Sequence, residues 1–263
     1  MTRSHPHWPL IVAYGAGVDS TAVLVEFANR SIRPDLILFA DTGGEKPETY
    51  AYLETISDFL MKKSFPAITT VRYKPKTAPY HTLEQQCLHT GTLPSDAYGG
   101  RSCSIKYKRT PQDRFVEKWP AARNIWKLGG KVVKVIGFDA SEVRRIKRMQ
   151  AKIPNPREKR RFHYWYPLFD WGWCRADCVG CIQHAGLPVP MKSACFYCPA
   201  SKKHEIAWLR QQHPDLTERA LEIERNAQAK LISVKGLGRS FTWQKYLNEL
   251  DAFPLFAGEE PCS

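Results

Sequence analysis

Two short apolar runs near the start of the chain each end in a turn of small residues. Pro9–Tyr14 leads into Gly15-Ala16-Gly17, and Leu36–Ala40 leads into Asp41-Thr42-Gly43-Gly44. Each turn is followed by a segment whose apolar residues have helical spacing. Strands that alternate with helices in this way pack as a parallel sheet with right-handed crossovers. The sequence therefore predicts an α/β fold with a doubly wound parallel sheet.

The rest of the chain extends this pattern. Further strands are predicted at Ile68–Tyr73 and at Lys131–Ile136, where the second stops at Gly137. Helices are predicted at 20–29, 48–62, 110–119, 202–212 and 216–231.

The amino-acid composition of the chain changes after Gly137. Glu142–Arg161 carries nine Lys and Arg residues and two Glu, and the aromatic stretch Phe162–Trp173 follows it. Five of the eight cysteines then fall between Cys174 and Cys198. We therefore expect a nucleotide-binding α/β domain over residues 1–140 and a basic, aromatic, Cys-rich and mostly helical subdomain over residues 141–263.

Composition narrows the class of protein. The chain has 263 residues, 43% of them hydrophobic, which is enough for an ordinary folded core. Its apolar runs are shorter than the roughly 20 residues that span a bilayer, and Met1–Pro9 lacks the layout of a secretory signal, so no membrane association and a cytoplasmic location are expected. The net charge of +13 favours polyanionic partners such as nucleotides or nucleic acid.

The turn that begins at Gly15 has the features of a phosphate site. A strand that leads through small residues into a helix offers backbone N–H groups and a helix N-terminus to an anion. The turn matches neither the Walker pattern nor G-x-G-x-x-G, because Asp19 and Ser20 occupy the later positions. Ser20 and Thr21 would donate to phosphate, while Asp19 would orient the turn or hold Mg²⁺. The alternative is a plain helix N-cap.

Four segments resemble one family. Residues 15–20 (GAGVDS) resemble the S-G-G-x-D-S loop of the PP-loop, or adenine nucleotide alpha-hydrolase, superfamily. Asp41-Thr42-Gly43 with Pro47-Glu48-Thr49 resembles the D-T-G-x-x-x-P-E-T segment of phosphoadenosine phosphosulfate (PAPS) reductases. Residues 103–111 (CSIKYKRTP) and 137–145 (GFDASEVRR) resemble two further segments of PAPS-reductase-like proteins, including phage-type members.

The resemblance implies a Rossmann-like sheet that binds ATP or PAPS, with Mg²⁺, at the carboxyl ends of its strands. It implies catalytic roles for Asp19, Lys108 and Cys103. The alternative for the cations at 106, 108 and 109 is a solvated helix start. The nucleotide-binding residues that the resemblance implies are Tyr14, Gly15, Ala16, Gly17, Asp19, Ser20, Thr21, Phe39, Asp41, Thr42, Gly43, Lys108, Gly137, Glu142 and Arg145.

The cysteines suggest a metal site. Cys195 and Cys198 form a C-x-x-C pair, a spacing that lets both sulfurs reach one zinc ion or iron–sulfur cluster. The resemblance to cluster-bearing sulfonucleotide reductases adds Cys103, and Cys178 is preferred to Cys181 or Cys174 as the fourth ligand. A 4Fe-4S cluster on Cys103, Cys178, Cys195 and Cys198 is therefore expected. One alternative is a structural zinc on Cys195 and Cys198 with Cys178 or Cys181, completed by His184 or His204. The other is buried or redox-active thiols without metal.

The expected function is an enzyme that binds an adenine nucleotide and performs sulfur transfer or adenylylation. One alternative is a true sulfonucleotide reductase, for which Cys262 would be the tail nucleophile; it lacks the glycine and histidine of the family's E-C-G-x-H tail. Another is a non-catalytic binding protein with a structural zinc. The basic run at 144–161, beside aromatic residues, would suit nucleic acid, DNA or tRNA, as a partner. The alternative is a solvated basic helix and loop with the aromatic residues in the core of the subdomain. A homodimer is compatible with the sequence.

Overall fold

The computed structural model describes residues 8–151 and 155–252; for residues 148–151 it describes the backbone alone. Its strands are β1 (Leu10–Tyr14), β2 (Leu36–Asp41), β3 (Ile68–Arg72), β4 (Val132–Ile136) and β5 (Phe162–Trp165). Its helices are α1 (Val18–Asn29), α2 (Pro47–Lys62), α3 (Leu83–Thr90), α4 (Ser102–Ser104), α5 (Thr110–Lys118), α6 (Pro120–Lys127), α7 (Val143–Ala151), α8 (Pro156–Arg161), α9 (Pro167–Asp170), α10 (Arg175–His184), α11 (Lys203–Gln212), α12 (Pro214–Ala227) and α13 (Trp243–Ala252). None of the described helices is both long enough and apolar enough to cross a membrane.

The five strands form a parallel sheet in the order β3-β2-β1-β4-β5. β1 lies at the centre and pairs with β2 on one side, where Tyr14 is opposite Phe39, and with β4 on the other, where Ala13 is opposite Ile136. β2 and β3 lie on one side of β1, and β4 and β5 lie on the other side. The predicted α/β fold with a parallel sheet is confirmed.

Helices cover both faces of the sheet. Alternate strand residues such as Val12 and Val135 pack with α1, α2 and α10, and Phe27 of α1 is fully buried there. The intervening residues, such as Ile11 and Val132, pack with α5 and α6 on the other face. Both faces of the central strands are therefore apolar, which explains why β2 reads as a continuous hydrophobic run.

The predicted strands and helices are present, with ends that differ by a few residues. The last predicted helix starts at Pro214 instead of residue 216, because proline suits the first helical position. The sequence analysis missed β5, whose four residues are all half-buried and carry no period-two pattern. Pairing with β4 is what makes this aromatic segment a strand.

The chain forms two compact units built from separate stretches. Unit 1 contains residues 1–40, 46–71 and 110–193, and unit 2 contains residues 41–45, 72–109 and 194–263. The sequence predicts a single boundary near residue 140, but β5 lies beyond it and belongs to the sheet of unit 1. Unit 2 is mostly helical, and α3 packs there with α12 around a core that contains Tyr197 and Trp243.

Candidate functional site

The switch point of the sheet lies between β1 and β4. Strand order reverses at these two neighbours, and open parallel sheets bind ligands in the crevice beyond the carboxyl ends of such strands. β1 ends at Tyr14 and β4 ends at Ile136, so the Gly15 turn and Gly137 each directly follow the carboxyl end of a strand at the switch point. Topology thus brings together two of the segments that the sequence analysis singled out.

The Gly15 turn leaves the N-terminus of α1 open. Gly17 is the N-cap residue, and among the described residues no side chain makes a cap hydrogen bond to this helix start. Ser20 closes the turn from below, since its hydroxyl accepts from Gly15 N–H at 3.1 Å and donates to Gly17 O at 3.2 Å. Ala16 is buried and has a left-handed φ of +56°. The turn therefore presents backbone donors to an anion.

Gly137 supports this turn by direct backbone contact. A Cβ at this position would lie 2.9 Å from Ser20 N and 3.0 Å from Asp19 C, closer than real Cβ atoms approach. Both neighbours are backbone atoms, which cannot rotate away as a side chain would. Only a glycine lets the end of β4 pack this closely against the first turn of α1.

Asp19 carries the most perturbed carboxyl group of this edge. Burial raises its pKa to about 6, and the carboxylates of Asp139 and Glu142 act in the same direction. Arg175, whose Nη1 lies 2.9 Å from Asp19 Oδ1, opposes the shift. A partly buried carboxyl with a raised pKa, in a helix turn that follows a strand end, is typical of functional sites.

Replacing Asp19 with asparagine is expected to stabilise the protein at neutral pH. The folded carboxyl has a pKa of about 6 against an ordinary value of 3.8, so the folded state binds the proton more tightly and stability falls as pH rises from about 4 to 6. Asp19→Asn removes this penalty, so the free energy of unfolding should rise by about 1–2 kcal/mol at pH 7.5 and little at pH 4. Urea unfolding at both pH values measures this.

Asp58→Asn is the matched control, because Asp58 is an exposed carboxylate on α2. It makes the same charge change and should shift stability at neither pH. If Asp19→Asn changed the free energy of unfolding equally at pH 4 and pH 7.5, folding would not raise the pKa of the Asp19 carboxyl.

The other predicted residues of this edge in unit 1 have mixed surroundings. Arg145 pairs with Glu142 at 2.7 Å, and its guanidinium lies 4.1 Å from the Phe138 ring centre. Thr21 is fully buried and its hydroxyl shares a 3.2 Å hydrogen bond with Tyr14. The Phe39 ring is also buried in the core. The buried side chains of Tyr14, Thr21 and Phe39 therefore pack beneath the turn, and the Thr21 hydroxyl is hydrogen-bonded to the Tyr14 hydroxyl within the core.

Unit 2 contains the D-T-G segment. Both carboxylate oxygens of Asp41 are engaged: Oδ2 pairs with Arg72 at 2.7 Å, and Oδ1 accepts from Gly43 N–H at 2.8 Å. Gly43 has a φ of +75°, and a Cβ there would lie 2.4 Å from Cγ2 of Thr82. Asp41 and Gly43 therefore fix the conformation of this turn, and the Asp41 carboxylate holds Gly43 and Arg72 in place.

Thr42, Glu45, Lys108 and Cys195 come together in unit 2. Lys108 Nζ lies 2.9 Å from Glu45 Oε1, and the Glu45 side chain is fully buried. The Thr42 hydroxyl lies 3.2 Å from Cys195 Sγ. Burial lowers the pKa of Lys108, but Glu45 and the thiols of Cys195 and Cys198 outweigh burial and raise it. Three segments that are distant in sequence thus share one polar centre.

The lysines near this centre do not form a solvated helix start. Lys106 donates to Gln86 at 2.7 Å and to the Tyr80 hydroxyl at 3.3 Å. Lys106 and Lys108 lie in a π-helical turn, Ile105–Arg109, between α4 and α5. Such turns are frequent at functional sites. The alternative of a solvated helix start is wrong for these two lysines, because both make specific contacts inside unit 2.

The predicted ligand thiols are divided between the units. Cys103, Cys195 and Cys198 belong to unit 2 and contribute to its apolar cluster, which also contains Cys87. Cys178 lies fully buried in the core of unit 1, and burial raises its pKa to about 12. Burial also raises the pKa of Cys195 to about 12, and Glu45 adds to this.

Across residues 8–151 and 155–252, no three His, Cys, Asp or Glu side chains are grouped closely enough to hold a metal ion. The described arrangement does not by itself form the predicted cluster site, so this ligand set stays a prediction. Among the alternative ligands, Cys181 is half-buried beside Glu26, Cys174 is exposed at the start of α10, and His184 and His204 are exposed. Cys262 lies outside the described residues.

Sequence reasoning missed two residues of these centres. Glu45 received no role, although a charged residue directly after a strand-end turn is a recognisable feature. Cys87 also received none, yet it lines a cavity of about 210 Å³ in unit 2 together with Cys103, Lys106 and Tyr107. A lone cysteine in a helical segment carries no pattern that would place it there.

Comparison with known proteins leaves the family undetermined. No family model matches the chain. No curated protein matches it either.

Proposed function

We propose that this protein is an enzyme that binds an adenine nucleotide at the switch point of its sheet and uses it for adenylylation or sulfur transfer. The observation that carries the proposal is the uncapped N-terminus of α1, held against Gly137 where β1 and β4 end. A helix N-terminus that follows a small-residue turn is a ready anion site. The resemblance of residues 15–20 to a PP-loop supplies the nucleotide class, and it supports membership of the adenine nucleotide alpha-hydrolase superfamily.

The roles follow from the surroundings of each group. Backbone N–H groups at the start of α1 would hold phosphate oxygens. Asp19 would orient the Mg²⁺ that accompanies the nucleotide, because a carboxylate oxygen is a ligand that this ion prefers. The family resemblance also implies a catalytic role for Lys108, a cation of the kind that neutralises negative charge developing on phosphate or sulfate. Within unit 2, Lys108 pairs with Glu45.

Two reactions remain for the nucleotide. In the first, an oxygen of the acceptor displaces pyrophosphate from the α phosphorus of ATP, and a sulfide-level sulfur donor then displaces AMP from the adenylated acceptor. In the second, a cysteine thiolate attacks the sulfur of PAPS and displaces adenosine 3′,5′-bisphosphate, and an external dithiol releases sulfite from the thiosulfonate and is oxidised to a disulfide. The resemblance of the D-T-G segment to that of PAPS reductases favours the second reaction, whereas the departure of the Cys262 tail from the family's E-C-G-x-H pattern favours the first.

Product analysis distinguishes these reactions. Pyrophosphate release from ATP, with and without nucleic acid, is compared with sulfite release from PAPS in the presence of a thiol reductant. Pyrophosphate alone supports adenylylation, and sulfite alone supports reduction. Neither product from a metal-replete sample would leave a nucleotide-binding protein without catalysis and would contradict the proposed enzyme.

The predicted iron–sulfur cluster can be tested separately from the nucleotide. Anaerobically purified protein should contain iron and absorb in the visible range, and Cys198→Ala should lose this iron because it removes a ligand. Cys178→Ala tests the fourth ligand of the predicted set by the same measurement. Iron quantitation and visible spectra measure both effects.

Cys174→Ala is the control, because Cys174 is an exposed thiol outside the predicted set. Iron that survives Cys178→Ala but not Cys198→Ala would place all ligands in unit 2, where Cys87 is the next thiol beside Cys103. A colourless protein with stoichiometric zinc would overturn the cluster in favour of structural zinc.

A further inference from the structure

Eight cations of unit 1 converge on one surface that the sequence only partly predicts. Two cavities of about 530 and 650 Å³ share Trp126, Arg157 and Arg161 in their linings. Among the described residues that line them, Glu117 is the one carboxylate. We call these cations the basic surface: Lys118, Arg123, Lys127, Lys131, Arg157, Lys159, Arg160 and Arg161.

Helical spacing aligns the side chains of this surface. Arg123 and Lys127 are four residues apart on α6, so they lie on the same face of that helix. Arg157, Arg160 and Arg161 are three and four residues apart on α8 and are related in the same way. Six of the eight cations are exposed, so their charges face solvent.

Glu117 holds the two parts of the surface together. Its carboxylate lies 3.1 Å from Arg157 Nη2 and 3.3 Å from Arg161 Nη1, which ties α8 to the end of α5. One carboxylate cannot neutralise eight cations, so a strong positive potential remains. A surface of this charge, built on ordered elements, is suited to a polyanion.

The aromatic side chains near this surface are not available for base stacking. The Arg161 guanidinium lies 4.6 Å from the Trp126 ring centre, and Phe162 contacts the same ring edge-on. Trp165, farther along β5, stacks on Phe27 in the core of unit 1. The basic surface would therefore contact the sugar–phosphate backbone and would read little sequence.

The basic surface and the Gly15 turn lie at opposite ends of the sheet. Lys131 and Arg161 immediately precede β4 and β5, whereas the Gly15 turn and Gly137 follow the carboxyl ends of β1 and β4. The five residues of β4 place about 17 Å between these two ends, at about 3.3 Å per residue. A nucleotide at the switch point therefore leaves the basic surface accessible.

We propose that the basic surface binds the phosphate backbone of a nucleic acid, separately from the nucleotide site. It differs from the basic run that the sequence suggested. Lys118, Arg123, Lys127 and Lys131 lie outside residues 144–161 and join the surface only because α5, α6 and β4 pack beside α8. Within that run, the side chains of residues 148–154 lie outside the described part of the chain.

Fluorescence anisotropy with a labelled mixed-sequence DNA duplex of about 20 base pairs, and with single-stranded RNA of similar length, tests the proposal. Binding should weaken steeply with salt. Arg123→Gln/Lys127→Gln should weaken it about tenfold or more and reduce the slope of log K against log salt by about 2, because two phosphate contacts are lost. Comparison of the two probes shows which nucleic acid is preferred.

Lys62→Gln/Lys235→Gln is the matched control, because both lysines are exposed and neither lines the basic surface. It makes the same charge change and should leave the slope within error of the wild type. Equal slopes for the two double variants would overturn the proposal. Binding to phosphatidylserine vesicles, with no binding to either nucleic acid, would also overturn it. ATP binding to the Arg123→Gln/Lys127→Gln variant should be unchanged, so failure of this proposal is distinguishable from failure of the nucleotide site.

Discussion

Gly137→Ala is expected to weaken adenine nucleotide binding at least tenfold and to lower the free energy of unfolding by about 2 kcal/mol. The added methyl group would lie 2.9 Å from Ser20 N and 3.1 Å from Ser20 Cα. Because these are backbone atoms, relief requires the start of α1 to move away from β4. The N–H groups that would hold phosphate move with it.

Isothermal titration with ATP, and with adenosine 3′,5′-bisphosphate as the unreactive product of PAPS reduction, measures the affinity. Urea unfolding measures the stability. Gly180→Ala on α10 is the control, because the nearest atom to its Cβ would be 4.0 Å away and alanine favours a helix. Unchanged nucleotide affinity in folded Gly137→Ala protein would show that this contact does not shape a phosphate site.

Lys108→Met is expected to cost about 3 kcal/mol of stability, and most of this should return when Glu45→Gln is added. The single change leaves the fully buried Glu45 carboxylate without the ammonium group that lies 2.9 Å from it. Removing both charges avoids that penalty, since an amide costs much less to bury than a carboxylate. The four proteins form a double-mutant cycle, read by urea unfolding.

The pair formed by Lys245 and Glu249 is the control for this cycle. Their charged atoms are 3.7 Å apart and both side chains are mostly exposed. Lys245→Met should change stability by less than about 0.5 kcal/mol, because solvent screens such a pair. A double variant no more stable than Lys108→Met would mean that packing of the Lys108 stem, and not its charge, supports unit 2.

Local pattern was sufficient for the elements that precede the candidate site. β1, and β2 up to Ala40, are apolar runs, and a turn with small residues follows each strand. The next helices show helical spacing, so each strand–turn–helix unit was readable from neighbouring residues. Gly15, Gly17 and Gly137 were also predicted at the site, Gly15 and Gly17 from the small-residue turn and Gly137 from the end of a strand and the family resemblance. Tyr14, Thr21 and Phe39 were predicted beside them, but only packing shows that their side chains are buried beneath the turn.

The sequence by itself determined the α/β class, the first four strands and the small-residue turn at Gly15, because these depend on residues close together in the chain. Tertiary structure decided what depends on distant residues. It paired Lys108 with Glu45, 63 positions away, and gave Cys178 to a different unit from Cys195. It also gathered the basic surface from α5, α6, α8 and the residue before β4. The charge and burial of a side chain have structural consequences only when distant chain segments pack together. The spacing of residues along the sequence does not show which segments do so.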